Sequence, residues 1–325
     1  MKKILIIRFS SIGDIVLTTP VIRCIKKQLN AEVHYLTKKS FGAILDSNPY
    51  IDKLHLLEDS LTETIQQLRN ENFDLVIDLH HNTRSFLVKK MLFTKSYSFN
   101  KLNFEKWLLV NFKINRLPAK HIVDRYLETC APLGFQNDGE GLDYFITAKD
   151  EIDLNTLPSA FQNGYLAWVI GAKFATKRFP KEKIVEVLKN INQPVILLGG
   201  KEEEAMGIEI CNKTSANVLN ACGKYNLNQS ASLVKQAKQV ITNDTGLMHI
   251  AAAFKKEIIS LWGNTIPEFG MYPYLEKSEV RNQIIETRNL DCRPCSKIGY
   301  DKCPKGHFDC MQKISTQEIW NAICS

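Results

Sequence analysis

An α/β fold with two parallel-sheet units is what this chain predicts, and three observations carry the reading. Short β-rich apolar runs alternate with helical patterns along the first half. The same alternation begins again near Tyr165. Between the two series lie stretches rich in turn-forming residues. Strand–helix–strand order implies a parallel sheet covered on both faces.

In order, strands are expected over residues 4–7, 33–36, 54–57 and 75–78, with helices over 15–28, 41–46 and 61–70. A helical, basic segment follows, and then Asn137-Asp138-Gly139-Glu140-Gly141, a turn-rich stretch at which a boundary may be sought. The second series places strands at 166–170, 195–198, 239–242 and 257–261, and helices at 181–190, 202–211, 227–236 and 247–253. Residues 158–163 read as the linker. The domains are therefore expected to span 1–156 and 157–325, with a ligand in the cleft at the carboxyl ends of their strands.

Composition agrees. At 325 residues, 44% apolar and 24% charged, the chain is long enough for two ordinary cores. No run approaches a membrane span. The opening Met1-Lys2-Lys3-Ile4-Leu5-Ile6-Ile7-Arg8 is too short in its apolar part for a signal peptide and reads as a buried strand, so a cytoplasmic location is expected. Nine cysteines in a large chain of that kind read as thiols or metal ligands rather than disulfides. The net charge of +7 is concentrated. Between Arg84 and Arg125, ten basic residues (Arg84, Lys89, Lys90, Lys95, Lys101, Lys106, Lys113, Arg116, Lys120, Arg125) face only Glu105 and Asp124, with seven aromatics interleaved. Such a surface implies an anionic partner: nucleic acid, anionic lipid or a phosphorylated sugar. For any one of these residues, a solvated charged face over a few core aromatics is the simpler account.

The most informative run is Asn243-Asp244-Thr245-Gly246-Leu247-Met248-His249, which joins a β-branched strand to a small apolar helix. Backbone N–H groups at such a helix start lack intrahelical partners, and the helix dipole adds positive potential, which suits a phosphate. Asp244 or Thr245 would cap it, and Gly246 lets a ligand approach the backbone. At the end of the first strand, Ser10-Ser11-Ile12-Gly13-Asp14 makes a turn that puts a carboxylate at the sheet edge. Asp14 there is placed to act as a general base, although capping a helix is the commoner task of an aspartate in such a turn. Lys177-Arg178-Phe179-Pro180 puts two cations at another strand end, where they would neutralise a diphosphate leaving group. Gly199-Gly200 followed by Glu202, Glu203 and Glu204 repeats the strand–glycine–helix arrangement. Those acids either complement the helix dipole or accept from ribose hydroxyls. No G-x-G-x-x-G dinucleotide fingerprint is present.

These elements, in this order, resemble glycosyltransferase family 9, the ADP-heptose:lipopolysaccharide heptosyltransferase family. Asp78-Leu79-His80-His81-Asn82-Thr83-Arg84, His121-Ile122-Val123-Asp124-Arg125, Leu261-Trp262-Gly263-Asn264-Thr265 and the cysteine-rich end add to a similarity covering nearly the whole chain. The resemblance implies a GT-B fold: two Rossmann-like domains facing across a cleft, the first binding acceptor and the second nucleotide-sugar, with a last helix returning toward the first. It implies inverting transfer with no required cofactor or metal, from a nucleotide-sugar donor, ADP-heptose being the family's usual one. Carried over by position, Asp14 would be the catalytic base. Lys177 would be the main cation on the donor phosphates, with Arg178 beside it. Glu203 or Glu204 would hold the ribose, and Asp244, Thr245, Gly246, Leu247 and His249 would surround the diphosphate. Ser10, Ser11, Gly13, His80, Asn82, Arg84 and Arg125 would meet the acceptor. Lys173-Phe174 departs from the small hydroxyl residues frequent in the family and leaves the donor sugar open.

The spacing Cys292-x₂-Cys295-x₇-Cys303-x₆-Cys310, with His307 close by, admits a tetrahedral zinc site. It has neither a second C-x-x-C pair nor a His-x-His partner, so a packed thiol cluster is preferred and no metal is assigned. The expected partners are an anionic, lipid-linked saccharide acceptor and the cytoplasmic surface of the inner membrane, with the protein peripheral to it and no nucleic acid. Two other classes compete. A nucleic-acid-binding protein would use the basic segment but leaves the loops at Asp14 and Asp244 without a role. A nucleotide-sugar epimerase of the GT-B type would need no acceptor.

Overall fold

The computed structural model describes residues 1–214, 217–276 and 278–324. The chain forms two compact units: Met1–Leu102 with Lys120–Thr147, and Asn103–Ala119 with Ala148–Ser325. The chain passes between them three times, at 102/103, 119/120 and 147/148, where a single boundary after residue 156 was expected. The stretch expected as a linker holds the short helix Ser159–Gln162 within the second unit.

The first unit is a five-stranded parallel sheet of β1 (Lys3–Ile7), β2 (Glu32–Lys38), β3 (Lys53–Leu57), β4 (Leu75–Asp78) and β5 (Ser96–Ser98), in the order β3-β2-β1-β4-β5. The second has six parallel strands: β6 (Leu166–Val169), β7 (Val195–Leu198), β8 (Val218–Asn220), β9 (Gln239–Asn243), β10 (Glu257–Trp262) and β11 (Asn282–Glu286). Their order is β11-β10-β9-β6-β7-β8. Both are Rossmann orders. Each has a switch point where the winding reverses, between β1 and β4 in one unit and between β6 and β9 in the other, and ligands bind at such points. The central strands are buried on both faces, which is why Ile4-Leu5-Ile6-Ile7, Leu166-Ala167-Trp168-Val169 and Val195-Ile196-Leu197-Leu198 are continuously apolar.

All eight expected strands are present. The three unexpected ones, β5, β8 and β11, lie at sheet edges, and they are short or polar enough to lack an apolar run. The helix expected over 15–28 is two helices, Ile12–Val16 and Thr19–Leu29. Thr18 and Thr19 turn their hydroxyls back onto the carbonyls of Ile15 and Val16, each at 2.7 Å, and Pro20 has no N–H to continue the ladder. Residues 39–44 form a 3₁₀ turn where a helix over 41–46 was expected.

The turn-rich 137–141 stretch is clasped to the first unit. Buried Arg23 on helix Thr19–Leu29 donates to Asp138 through Nε (2.7 Å) and Nη2 (2.8 Å), to Gly141 O (2.8 Å), and also to Asp143. The last helix, Thr316–Cys324, was expected to run back toward the first unit. It packs Ile319 and Ala322 into the second unit's core with Ile184 and Leu188 of helix Lys181–Leu188.

The basic segment is divided. Residues 103–119, with Lys106, Lys113 and Arg116, belong to the second unit, and the other seven cations to the first. Its aromatics are mostly on the surface: Phe86, Phe93, Phe104, Trp107 and Phe112 are exposed and only Phe99 is a core residue. Lys89 departs from the picture of a solvated cation. Its ammonium lies 2.8 Å from the fully buried Asp78 carboxylate and donates to Ser98 Oγ at 2.5 Å. Among the described residues, no helix is long and apolar enough to cross a membrane.

Candidate active site

The residues singled out from the sequence fall at the two switch points. In the first unit, Ile7 lies in register with Asp78, so the loops leaving β1 and β4 emerge side by side. The β1 loop starts with Arg8, whose side chain is buried. Its Nε donates to Ser10 O (2.8 Å), and its Nη1 to Leu79 O (2.6 Å) and Tyr126 Oη (3.0 Å). Nη2 lies 2.5 Å from Asp14 Oδ1. Burial opposes the Arg8 charge, but Asp14, then Tyr126, Tyr35 and Asp78, outweigh it and hold the guanidinium above its ordinary pKa. The other Asp14 oxygen accepts from Ser11 N (3.2 Å) and Ser11 Oγ (2.6 Å), closing the first turn of helix Ile12–Val16. Asp14 thus does cap its helix. It is also locked against a cation and keeps 21% of its side chain exposed.

The β4 loop is organised by Asp78. Its Oδ1 accepts from the backbone N–H of His80 (3.0 Å) and His81 (2.7 Å), and its Oδ2 from Ser85 Oγ (2.8 Å). His80 packs edge-on against Phe9, with ring centroids 5.2 Å apart. Burial, then Arg8 and Lys101, push its pKa down to about 4, so the ring is neutral at neutral pH. Its Nδ1 is buried without a hydrogen-bond partner among the described residues. Asn82 caps helix Thr83–Leu92, accepting from Ser85 N at 2.9 Å. Arg125 is buried, donates to Asn100 O at 2.7 Å and lies over the Phe99 ring at 4.9 Å. Of the residues assigned to acceptor contact, Arg84 is the cation that stands exposed.

In the second unit Val169 pairs with Thr242, so the loops leaving β6 and β9 are again adjacent. Fully buried Asn243 stitches them together, its Nδ2 reaching the carbonyls of Val169 and Ile170, both at 3.3 Å. Helix Gly246–Ala253 starts immediately after, with Thr245 rather than Asp244 as N-cap. Asp244 instead holds Lys177, with Nζ 2.5 Å from Oδ2, and the same oxygen accepts from Thr265 Oγ1 at 2.8 Å. The Lys177 ammonium is thereby fixed beside the open N-terminal turn that carries the N–H groups of Gly246 and Leu247. The helix start contributes positive potential there, and the Asp244 carboxylate that holds Lys177 offsets part of the lysine's charge. His249 lies one turn further in and is buried.

Arg178 donates through Nε to Ala172 O (2.8 Å), and its Nη2 lies 3.1 Å from Glu203 Oε1. Glu203 is 6% exposed and accepts from Gly200 N at 2.9 Å. It fills the space beside two glycines, since a Cβ at Gly171 or Gly199 would come within 2.8 or 2.9 Å of its side chain. It therefore sits against the loops that follow the first two strands of its unit, where Rossmann folds place the acid that meets a ribose. Glu204 lies farther out, half-buried at the start of helix Glu204–Asn212.

The cysteine-rich segment braces this loop. Thr176 and Tyr300 exchange hydrogen bonds, Tyr300 N to Thr176 Oγ1 at 2.8 Å and Thr176 N to Tyr300 O at 3.1 Å. Gly299, at φ +130°, lets Phe174 approach where a Cβ would clash at 2.6 Å. Arg293 ties Gly263 O (2.5 Å), Thr265 O (2.9 Å) and Glu286 Oε2 (2.6 Å) together. Cys292, Cys295, Cys303 and Cys310 line one pocket with Thr176 and His307, as free thiols. Among the described residues they do not form a metal-ligating group with donor atoms within 4.8 Å of one another; His34, His55 and Glu71 do. In that trio, however, Lys3 and Lys53 already occupy the Glu71 carboxylate, and the two rings hydrogen-bond each other at 2.8 Å.

Asn243 and Thr265 belong to runs marked in the sequence but carry no role there, and Arg8 and Tyr126 are not singled out. Of that last pair, Arg8 has a local signal: a cation directly at the carboxyl end of an apolar strand that leads to the candidate base.

The model of glycosyltransferase family 9 (heptosyltransferase) matches residues 61–300. Lipopolysaccharide heptosyltransferase 1 of Campylobacter coli is 26% identical over 295 residues, covering 81% of this chain and 84% of that protein. The glycosyltransferase family 9 structure from Veillonella parvula DSM 2008 superposes with a TM-score of 0.78 at 21% identity, over 99% of this chain and 96% of that one. The E. coli ADP-heptose lps heptosyltransferase II structure does so with 0.73 at 20%, over 100% and 98%. These two likenesses show the fold to be GT-B.

Proposed function

The chain belongs to glycosyltransferase family 9 (heptosyltransferase), and from that premise we propose that it transfers heptose from ADP-heptose to a lipid-linked, lipopolysaccharide-core acceptor. The transfer inverts the anomeric centre and proceeds at the cytoplasmic face of the inner membrane, to which the protein is peripheral. The first unit serves the acceptor and the second the donor. The relatives' names support the cargo and the acceptor class. The observation that carries the reading is the Lys177–Asp244 pair fixed at the start of helix Gly246–Ala253.

An acceptor hydroxyl attacks the anomeric carbon of the donor, and Asp14 takes its proton. The bond from that carbon to the diphosphate oxygen breaks, and ADP leaves with the electron pair. Lys177 and the backbone N–H groups of Gly246 and Leu247 stabilise the charge that develops on it. Glu203, positioned by Arg178 and Gly200, accepts from the ribose. His80, Arg84 and the Ser10–Ser11–Gly13 turn meet the acceptor, while Asn82 and Arg125 hold the scaffold around them.

The test is ADP release measured with and without a lipid-linked core acceptor. Release strictly dependent on acceptor is expected. Turnover of donor without acceptor would favour an epimerase. A thermal-shift comparison of nucleotide-sugars identifies the donor, since a ligand at 100 times its Kd stabilises by about 2.7 kcal/mol.

A further inference from the structure

Helix Asn103–Phe112 turns an apolar edge to solvent. Phe104, Trp107 and Phe112 are 62, 50 and 59% exposed, and Ile114 follows them at 46%. The three aromatics touch one another, Phe104 stacking on Trp107 at 6.1 Å and Phe112 meeting Trp107 edge-on at 5.2 Å. The opposite edge is the one that packs: Leu109, with Val110 and Leu117 beside it, closes on Ile266 and Phe269 of the same unit. An aromatic cluster of this size left in water is a cost that single scattered apolar residues do not impose, and it marks an interaction surface.

Charge says what covers it. Residues 103–119 carry Lys106, Lys113 and Arg116 against a single acid, Glu105; Lys113 Nζ donates to Val110 O (2.9 Å) and Pro294 O (2.8 Å), and Arg116 stands exposed. Exposed apolar rings in a segment of net positive charge, with a tryptophan touching both phenylalanines, match the level of an anionic bilayer where headgroups meet acyl chains. An aqueous protein partner would need acids to meet these cations and a socket for three rings, whereas a lipid surface offers both complements everywhere.

We propose that this helix is a membrane wedge: Phe104, Trp107 and Phe112 enter the interfacial layer of an anionic phospholipid bilayer, toward which the segment's net positive charge draws them. This inference deepens the reading of the protein as peripheral to the membrane and concerns a segment of the second unit, apart from the acceptor contacts assigned to the first.

Vesicles of zwitterionic lipid, and of the same lipid with about one-third anionic phospholipid, some brominated along the acyl chain, test it without donor or acceptor. Trp168 and Trp262 are buried and Trp320 is half-buried with its Nε1 on Asn190 O, so the quenching that Trp107→Phe takes away is the wedge's share. Expected are quenching on anionic vesicles that Trp107→Phe removes, and vesicle binding weakened about a hundredfold in Phe104→Ser/Trp107→Ser/Phe112→Ser, given what burying three such side chains contributes. ADP affinity of the triple variant should match the wild type, which also shows that it folds. Unchanged vesicle binding in the triple variant, or quenching undiminished in Trp107→Phe, overturns the wedge. So does a wild-type oligomer, seen without lipid, that the triple variant dissociates. Acceptor-dependent ADP release in detergent tests the transferase reading separately, since its loss in the wild type leaves vesicle binding untouched.

Discussion

Arg8 Nη2 stands 2.5 Å from Asp14 Oδ1, so the candidate base is gripped by a cation whose remaining nitrogens are anchored to Ser10, Leu79 and Tyr126. This arrangement aims one carboxylate and prevents its rotation. It separates two variants that chemistry alone would treat alike. Asp14→Asn keeps the shape but cannot take a proton, and turnover should fall by ~10²–10⁴ with ADP affinity unchanged. Arg8→Lys keeps a charge but loses the fork, so turnover should fall and the first unit should also unfold at lower urea. Near-wild-type turnover in Asp14→Asn removes it as the base.

Lys177→Met should weaken ADP binding by about 1.5–3 kcal/mol and lower turnover with it, because the diphosphate is charged in both ground and transition states. Asp244→Asn leaves the lysine present but unheld, and should cost less affinity than Lys177→Met. Calorimetry with ADP measures both. Equal affinity in all three proteins would move the phosphate contact elsewhere.

Glu203 and Glu204 are adjacent, yet the fold treats them differently. Glu203→Gln should raise the donor KM several-fold, through the ribose contact and through an Arg178 left without its partner. Glu204→Gln should leave KM nearly unchanged. The reverse ranking would give the ribose to Glu204.

His55 and His80 both have pKa values pushed down to about 4, His55 by burial and then by His34, and His80 by burial and then by Arg8 and Lys101. A histidine held neutral in the fold takes its proton first in the unfolded chain. The stability it contributes is therefore present above about pH 6.5 and lost as pH falls toward 4. Urea midpoints should fall across that window, and ring-proton NMR titration should find both residues neutral at pH 5.5. A midpoint near 6.5 for either one contradicts the assignment.

The basic segment divides by experiment as it does by burial. Lys89→Met strips the buried Asp78 carboxylate of its cation and should destabilise by about 3–5 kcal/mol. Lys90→Gln and Lys95→Gln change exposed charges and should shift stability by less than about 1 kcal/mol. Equal denaturation midpoints for all three would show that the Asp78 pair contributes nothing.

The elements legible in the sequence were those whose signal is local. Seven central strands show because burial on both faces demands apolar runs, the edge strand β3 shows by its leucines, and the loops at Asp14 and Asp244 show because a turn and a helix start need particular residues within a few positions. What was hidden depends on distance along the chain. Tyr126 reaches Arg8 across 118 residues, and nothing near either one announces it. Lys89 looked like any surface lysine until Asp78, eleven residues earlier, proved to lie buried beneath it. Aromatics between lysines suit a core and a membrane-facing edge equally, and only the packing of Leu109 on Ile266 and Phe269 decides which side of the helix is inward.

Placing β6 beside β9 has a consequence for how the second unit comes into being. Lys177 and Asp244 are 67 residues apart, and two strands with their crossovers are laid down between them before their loops can meet. Long-range pairing of this kind is formed late. During synthesis the lysine emerges well before the helix start it serves, so nucleotide affinity reports a finished sheet rather than a finished motif. A chain ended anywhere short of residue 244 would still carry Lys177 and have nothing to hold it.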